Sequence, residues 1–465
     1  MLVRAVHAAA ALAACALTAL AGPARADSVR PLSGPLPGTT AAALPAADLT
    51  PRPVVGFRVR GQSKVTERTM GYLARVEVGQ LVSGADLPRI LRDLTNTELF
   101  TTVDVTLEQA PDGVVVVATV HDKHSWIVAP TFYILGASKA VGVGFGENDF
   151  GGRNQKFLAY AQLGQVASQL FAVFLDPAYH GTKLTYRIDA FAFRRNDNEY
   201  VNPRDDPRSK EIAAIHATSY GGGGLLVGWR FRPWLVGDLR ARAGMVWYRG
   251  STLADGKTRA PTPQQDGFDA SIQTHWTADR RNHLNGVTWG SYAQLTLDQS
   301  IPKVSGYQYG VANLRIQQAW KLFGEHQLEL RGYFTVGRHL PFHEEFTLGS
   351  ATDLRGYDYN QFRGDTRVTG RAEYSVPVAR YKWVRLRAIG FFDSGSIGFA
   401  HPRTDGSRTY LPNEAKGNHY FRNDFGAGIR IYVGAIVLPL VGVDLAYGIE
   451  GHSPELYLQV GLTDF

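Results

Sequence analysis

One cysteine, Cys15, stands in 465 residues, so no intrachain disulfide can staple the fold. After residue 26 no run of eighteen apolar residues occurs, which excludes a transmembrane helix and leaves a closed barrel as the only way into a bilayer. There is no Gly-x-Ser-x-Gly elbow and no metal-binding helix: His339 and His343 are separated by Pro341, which blocks a helix, and His121 and His124 lie at a domain junction. These four histidines read as solvated loop residues. No catalytic centre, metal or cofactor is expected. A net charge of +7 is too weak a balance to argue for nucleic acid.

What is abundant is glycine (50) together with phenylalanine (23), tyrosine (21) and tryptophan (8), a balance suited to many strands and turns rather than to a helical enzyme. The N-terminus reads as an export signal. Arg4 precedes an alanine- and leucine-rich run, and Ala24-Arg25-Ala26 offers the small residues that signal peptidase needs, so residues 1–26 are expected to be removed. Leu12-Ala13-Ala14-Cys15 is a weaker, lipoprotein-type alternative. Cleavage after Ala26 takes away Arg4, Arg25 and the cysteine.

Residues 27–53, rich in Pro, Ala, Gly and Ser, read as a disordered linker. A small mixed unit is expected over 54–123, in the order β-α-α-β-β. Residues 54–59 make its first strand. Thr66 can cap a helix stapled by Val65 and Met70, and Leu87, Ile90, Leu91 and Leu94 mark the apolar stripe of a second helix. Strands 102–108 and 114–120 turn through Pro111-Asp112-Gly113.

From Ile127 onward a two-residue period takes over. On 327–336 Leu328, Leu330, Gly332, Phe334 and Val336 alternate with Gln327, Glu329, Arg331, Tyr333 and Thr335. The segments 368–376 and 239–247 alternate likewise. About sixteen such segments, many near the length of a tilted membrane-crossing strand, fill 124–465: 127–134, 139–146, 155–164, 168–176, 182–194, 217–231, 233–248, 267–278, 287–298, 306–321, 325–337, 366–377, 383–393, 424–432, 438–447 and 455–465. Tight turns alternate with the long stretches 195–216, 249–266, 338–365 and 394–423. The fold class is therefore mainly β: a 16-stranded antiparallel transmembrane β-barrel behind one small α+β unit. A soluble sandwich would need an unusual number of long strands.

Several motifs then resemble those of the Omp85 superfamily, whose periplasmic units are called POTRA domains. They are "LTNTELFTTVDVTL" at the end of the second helix, "GENDFGGRNQ" early in the barrel, "FTLGSATDLRGYDYNQFRGD" with the core Arg355-Gly356-Tyr357, "GRAEYSVP" with Glu373, and "GFFDSG" with Asp393. The resemblance covers about Val54 to Phe465. It implies a loop that returns into the barrel, its Arg355 meeting Glu373 and Asp393 on the inner wall. Parity agrees, since Glu373 opposes Val368, Ala372 and Tyr374 in phase, and Asp393 opposes Phe392. Gly356 is expected to allow a sharp turn beside the wall. On direct pairing of Arg355 with Asp393, exchanging the two residues should restore part of what Arg355→Ala destroys.

Two features depart from the family pattern. Ser350 follows Gly349 where a second glycine is common, which is expected to alter the bend. In the last strand Leu456, Leu458, Val460 and Leu462 share one parity whereas Phe465 has the other, so the assembly signal carried by Gly461 and Phe465 is expected to be unusual.

The resemblance implies a non-enzymatic role in the bacterial outer membrane with the N-terminal unit in the periplasm: insertion of barrel proteins or translocation of polypeptides through a lateral gate between the first and last strands. The partners are then the lipid bilayer, unfolded polypeptide clients and, as candidates, periplasmic accessory proteins. Either 102–108 or 54–59 could offer a free edge to a client. The alternatives are a dedicated exporter of one partner and a passive pore for anionic solutes, the latter suggested by Arg367, Arg371, Arg385 and Arg387 at lumenal parity.

Overall fold

The computed structural model describes residues 50–97, 99–135, 138–201, 206–208, 210–260, 262–284, 286–381, 384–400, 421–433 and 439–460. The expected signal peptide and the linker up to residue 49 lie outside the described residues, as do Gly461 and Phe465.

The chain opens with β1 (Arg52–Gln62), α1 (Glu67–Leu73), the two-residue β2 (Leu81–Val82), α2 (Leu87–Asn96), β3 (Phe100–Ala110) and β4 (Gly113–Asp122). Thr66 starts α1 because its hydroxyl accepts the Thr69 N–H at 3.2 Å. Val65 and Met70 are both buried on either side of that cap, the arrangement of a hydrophobic staple. The stripe Leu87, Ile90 and Leu94 packs with Val103, Val105, Val114 and Val116 into one apolar core. The sheet order is β2-β1-β4-β3, so β3 lies at an edge along its whole length, while β1 is flanked by β4 and, at its start, by β2.

The barrel follows: β5 (Trp126–Leu135), β6 (Ser138–Phe150), β7 (Gln155–Gly164), β8 (Ala167–Asp176), β9 (Leu184–Tyr200), β10 (Ile212–Arg232) and β11 (Leu235–Leu253). The short β12 (Arg259–Ala260) leads to β13 (Gly267–Asp279), and the short β14 (Asn282–Leu284) to β15 (Val287–Ser300). Then come β16 (Gly310–Lys321), β17 (Gln327–Arg338), the small strands β18 (Phe346–Leu348) and β19 (Phe362–Gly364), and β20 (Thr366–Tyr381). The barrel finishes with β21 (Val384–Gly398), β22 (Arg422–Val433), β23 (Pro439–Gly448) and β24 (Ser453–Val460). Setting aside β12, β14 and the separate β18–β19 hairpin, sixteen antiparallel strands close on themselves through β24 and β5.

Each of the sixteen alternating segments corresponds to one strand. β16 starts at Gly310 rather than at 306, because Tyr307 and Tyr309 turn inward and are buried. Polarity runs outside-in: on β17 Leu330 is 42% exposed while its neighbour Glu329 is 5% exposed. That inversion suits a cylinder wetted inside and bathed by hydrocarbon outside.

The N-terminal unit sits against one rim. Arg230 of β10 lies over the Tyr72 ring at 4.6 Å, and the Tyr72 hydroxyl donates to the Pro177 carbonyl at 3.3 Å. The Thr66 N–H donates to the Gly152 carbonyl at 3.1 Å, within the "GENDFGGRNQ" turn. Gly152, at φ +70°, has no room for a side chain: a Cβ would stand 1.8 Å from the Lys64 carbonyl oxygen.

Candidate functional site

Between β17 and β20 the chain does not stay at the far rim but folds back into the lumen. β18 and β19 pair as a hairpin inside the barrel, and Leu348, Leu354, Tyr357 and Phe362 pack together with Ile397 of the wall. Gly349 opens the loop at φ +106°. Ser350 ties this bend: its hydroxyl accepts the Thr352 N–H and donates to the Asp353 carboxylate, both at 3.2 Å.

The loop delivers Arg355, fully buried, to the inner wall. Its Nε and Nη2 donate to the two oxygens of Asp393 at 2.7 and 3.0 Å, the two-pronged geometry that a guanidinium offers a carboxylate. Nη1 donates to Glu373 Oε2 at 3.2 Å and to Asp444 Oδ2 at 3.3 Å. The face of the guanidinium rests on the Phe391 ring, 3.3 Å from its centroid. Arg371 adds a bond to Asp393 at 3.1 Å, and Arg430 holds Asp444 at 2.5 and 2.8 Å. The next residue is held as well, since the Gly356 N–H donates to Asp424 Oδ2 at 2.9 Å.

Glu373 and Asp393 therefore converge on Arg355, and two further acids, Asp424 and Asp444, join them. Sequence reasoning missed both. Their signal was parity: Asp424 opposes Phe425, and Asp444 opposes Val443 and Leu445, whose side chains are exposed. The part given to Gly356 also changes. Its φ is not positive; what the position demands is room, because a Cβ would fall 2.4 Å from the Gly448 nitrogen and 2.6 Å from Asp424 Cβ. Tyr357 is buried, and its hydroxyl donates to Glu450 at 2.5 Å. Burial and that carboxylate push the Tyr357 phenol above its ordinary range.

The four basic residues at lumenal parity are engaged. Arg367 donates to the Thr347 carbonyl at 2.9 Å, Arg371 to the Ala351 carbonyl at 3.0 Å, and Arg387 to Ser375 Oγ at 2.8 Å. Arg385, half-buried on β21, is engaged too.

A second anchorage, absent from the sequence reading, fixes the other end of the returning segment to the wall of β9, β11 and β13. Arg363 bridges Asp197 and Glu345, each at 3.2 Å, and stacks 4.0 Å from the Phe342 ring. Arg242 reaches Asp269 at 3.2 Å and Glu344 at 2.9 Å, and Asp269 also accepts the Tyr220 and Tyr309 hydroxyls. His343 is not a solvated loop residue. Its ring is buried between Tyr248, bonded at 2.9 Å, and Asp269, because Pro341 steers the chain inward instead of along the rim. His121, His124 and His339 are exposed. Asp269, His343 and Glu344 lie close enough to share a cation. Arg242 already supplies positive charge to both carboxylates, so the donor set does not fit a metal.

Nearby, His216 lies between Glu199, at 2.9 Å, and Ser251, at 2.7 Å, in the order of a nucleophilic triad. All three are buried, and the Phe342 ring caps the imidazole at 4.9 Å. Glu199 lies on β9, His216 on β10 and Ser251 on β11, so the three form a buried polar bridge across neighbouring strands.

A family model for the Omp85 superfamily domain matches residues 149–454. No curated protein matches the chain. Among solved structures, BamA from Haemophilus ducreyi lacking POTRA domains 1–3 aligns over 87% of this chain and 84% of its own, with a TM-score of 0.55 at 12% identity. CdiB from Acinetobacter baumannii aligns over 88% and 74%, with a TM-score of 0.57 at 12% identity. CdiB from Escherichia coli aligns over 90% and 92%, with a TM-score of 0.54 at 10% identity. Identities this low speak to the fold alone. With the family model spanning most of the barrel and an inward loop seated on its wall, the chain belongs to the Omp85 superfamily of outer-membrane β-barrel proteins.

Proposed function

We propose that this protein resides in the bacterial outer membrane with its N-terminal unit in the periplasm, where it inserts β-barrel proteins or passes polypeptides across by parting its seam. One observation carries this reading. The closed sheet is sealed by β24 against β5, the last and first strands of the barrel, so these neighbours are joined by strand pairing and not by a turn. A junction with no turn across it can part without breaking the chain's local connections, and an opened seam presents unpaired N–H and C=O groups that an extended client can match. β3 supplies a second edge, on the N-terminal unit, for the same kind of pairing.

The clasp on Arg355 holds the loop against the wall while the seam cycles. A passive pore for anionic solutes is the weaker reading, because Arg367 and Arg371 are bound to the loop and Arg387 to the wall. The deciding test is a disulfide lock. Ile134→Cys with Leu458→Cys joins two directly opposed positions. The locked protein should lose client insertion or secretion and recover it on reduction; full function while locked overturns the gate. Comparing outer-membrane and secreted proteomes after depletion then separates general assembly from export of one dedicated partner.

A further inference from the structure

Where the N-terminal unit meets the barrel rim, the two enclose a cavity of about 280 Å³ that neither the clasp nor the seam uses. α1 forms one side of it, and the β6–β7 turn with the turn after β8 forms the other. Arg68 of α1 and Arg153 of the β6–β7 turn both line it, and among the described residues neither has a carboxylate partner. The stem of Arg68 lies flat on the β8–β9 turn, where a Cβ on Gly181 would stand 2.9 Å from Arg68 Cγ. Asp176 is the one acid in the lining, and its carboxylate is already occupied by Gln155 Nε2 at 2.7 Å and the Ala178 N–H at 3.0 Å. Glu67, beside Arg68 in sequence, is exposed and lies outside the lining. Two arginines against one carboxylate, with His180 next to them, leave positive charge to spare.

Aromatic side chains mark the depth of this cavity. Tyr186 lines it and shares the parity of Ile188, which is exposed on the outer face of β9. From Tyr186 a row of rings follows that face, to Tyr179 at 5.7 Å, to Phe174 at 5.9 Å, and from Phe174 to the exposed Phe150 at 6.3 Å. Phe174 shares the parity of the exposed Leu170. Rings gathered at the end of an outer barrel face belong where headgroups meet hydrocarbon. A free phosphate would satisfy the arginines and leave the row of rings unused. A phosphate carrying acyl chains uses both, because the volume suits a headgroup and the chains then lie outside, against Phe174 and Phe150.

We propose that this cavity binds the phosphodiester headgroup of a phospholipid from the adjoining leaflet, with Arg68 and Arg153 holding its phosphate. One lipid then joins the N-terminal unit to the rim. The site rests on the outer-membrane placement above and is independent of the gate.

Native mass spectrometry of the folded full chain, released from nanodiscs, tests this by counting retained lipid. Wild type should retain dioleoylphosphatidylglycerol but not dioleoylglycerol, which has the same chains and no phosphate. Arg68→Ser with Arg153→Ser should lower that retention roughly ten-fold, the scale of one lost hydrogen bond to a charged group. Arg68→Lys with Arg153→Lys should keep most of it. Both arginines are exposed, so folding should be untouched, and Arg153→Glu alone should act in the same direction as the serine pair. Equal retention in wild type and the serine variant overturns the inference, as does equal retention of dioleoylglycerol. Displacement of the lipid by an equal concentration of inorganic phosphate would assign the cavity to a soluble anion and overturn it too. A chain that never enters the nanodisc sinks the outer-membrane placement and this site with it; one that enters, yet holds lipid alike in both forms, sinks the site alone.

Discussion

β3 of the N-terminal unit and β20 of the barrel both alternate with a period of two, and they bury opposite chemistry. On β3, Val103, Val105 and Leu107 pack on an apolar core; on β20, Thr369, Arg371 and Ser375 are the buried side and Val368 and Tyr374 the exposed one. The same periodicity thus serves two solvents. The unit folds as a water-soluble domain does, by removing hydrocarbon from water. The barrel cannot gain much that way in lipid, so its interior is organised by charge pairs and hydrogen bonds made to its own inserted loop.

The widest gap between the two regions should come from Arg355→Ala. It leaves Asp393, Glu373 and Asp444 without their shared cation, and removing one partner of a buried pair costs about 3–5 kcal/mol. The barrel should lose its compact form on unheated gels at a lower temperature than wild type. The structure also revises the exchange of Arg355 with Asp393: a carboxylate at the loop position would meet Glu373 and Asp444, so the double variant should rescue little. In the N-terminal unit the matching insult is apolar. Ile90→Ala opens a void under α2 and should cost about 2–5 kcal/mol. Limited proteolysis should then cut the unit and spare the barrel.

Leu330→Arg inverts the outer face of β17 and should cost about 2–4 kcal/mol if that face meets the bilayer centre. A folding titration into vesicles measures it, and a neutral result would mean that the outer surface does not meet lipid. The smallest effect belongs to Thr66→Ala, which removes the α1 cap and should lower the stability of the unit by about 1 kcal/mol in a thermal melt.

The sixteen strands were legible because a membrane-facing strand has to keep its alternation over its whole crossing, and few other constraints produce that signal. The lengths of β9, β10 and β11, at 17, 21 and 19 residues, were less so, since strand beyond the bilayer has no hydrocarbon to answer to. Glu373 and Asp393 could be placed because motif and parity agreed. Asp424 and Asp444 stand alone on their strands with no local motif, and only the three-dimensional course of the loop brings them to Arg355. His343 misled for a related reason: a polar loop beside a proline reads as solvated, and a lumen that accepts polar loops breaks that rule.

The docking of the N-terminal unit has a geometric consequence for movement. Its described rim contacts run from the β6–β7 turn past Pro177 and Arg230 to Asn282, which Asn96 meets at 3.4 Å. The unit lies as a chord over that arc, so a rearrangement of the strands from β6 to β14 has to carry the unit with it or break these contacts.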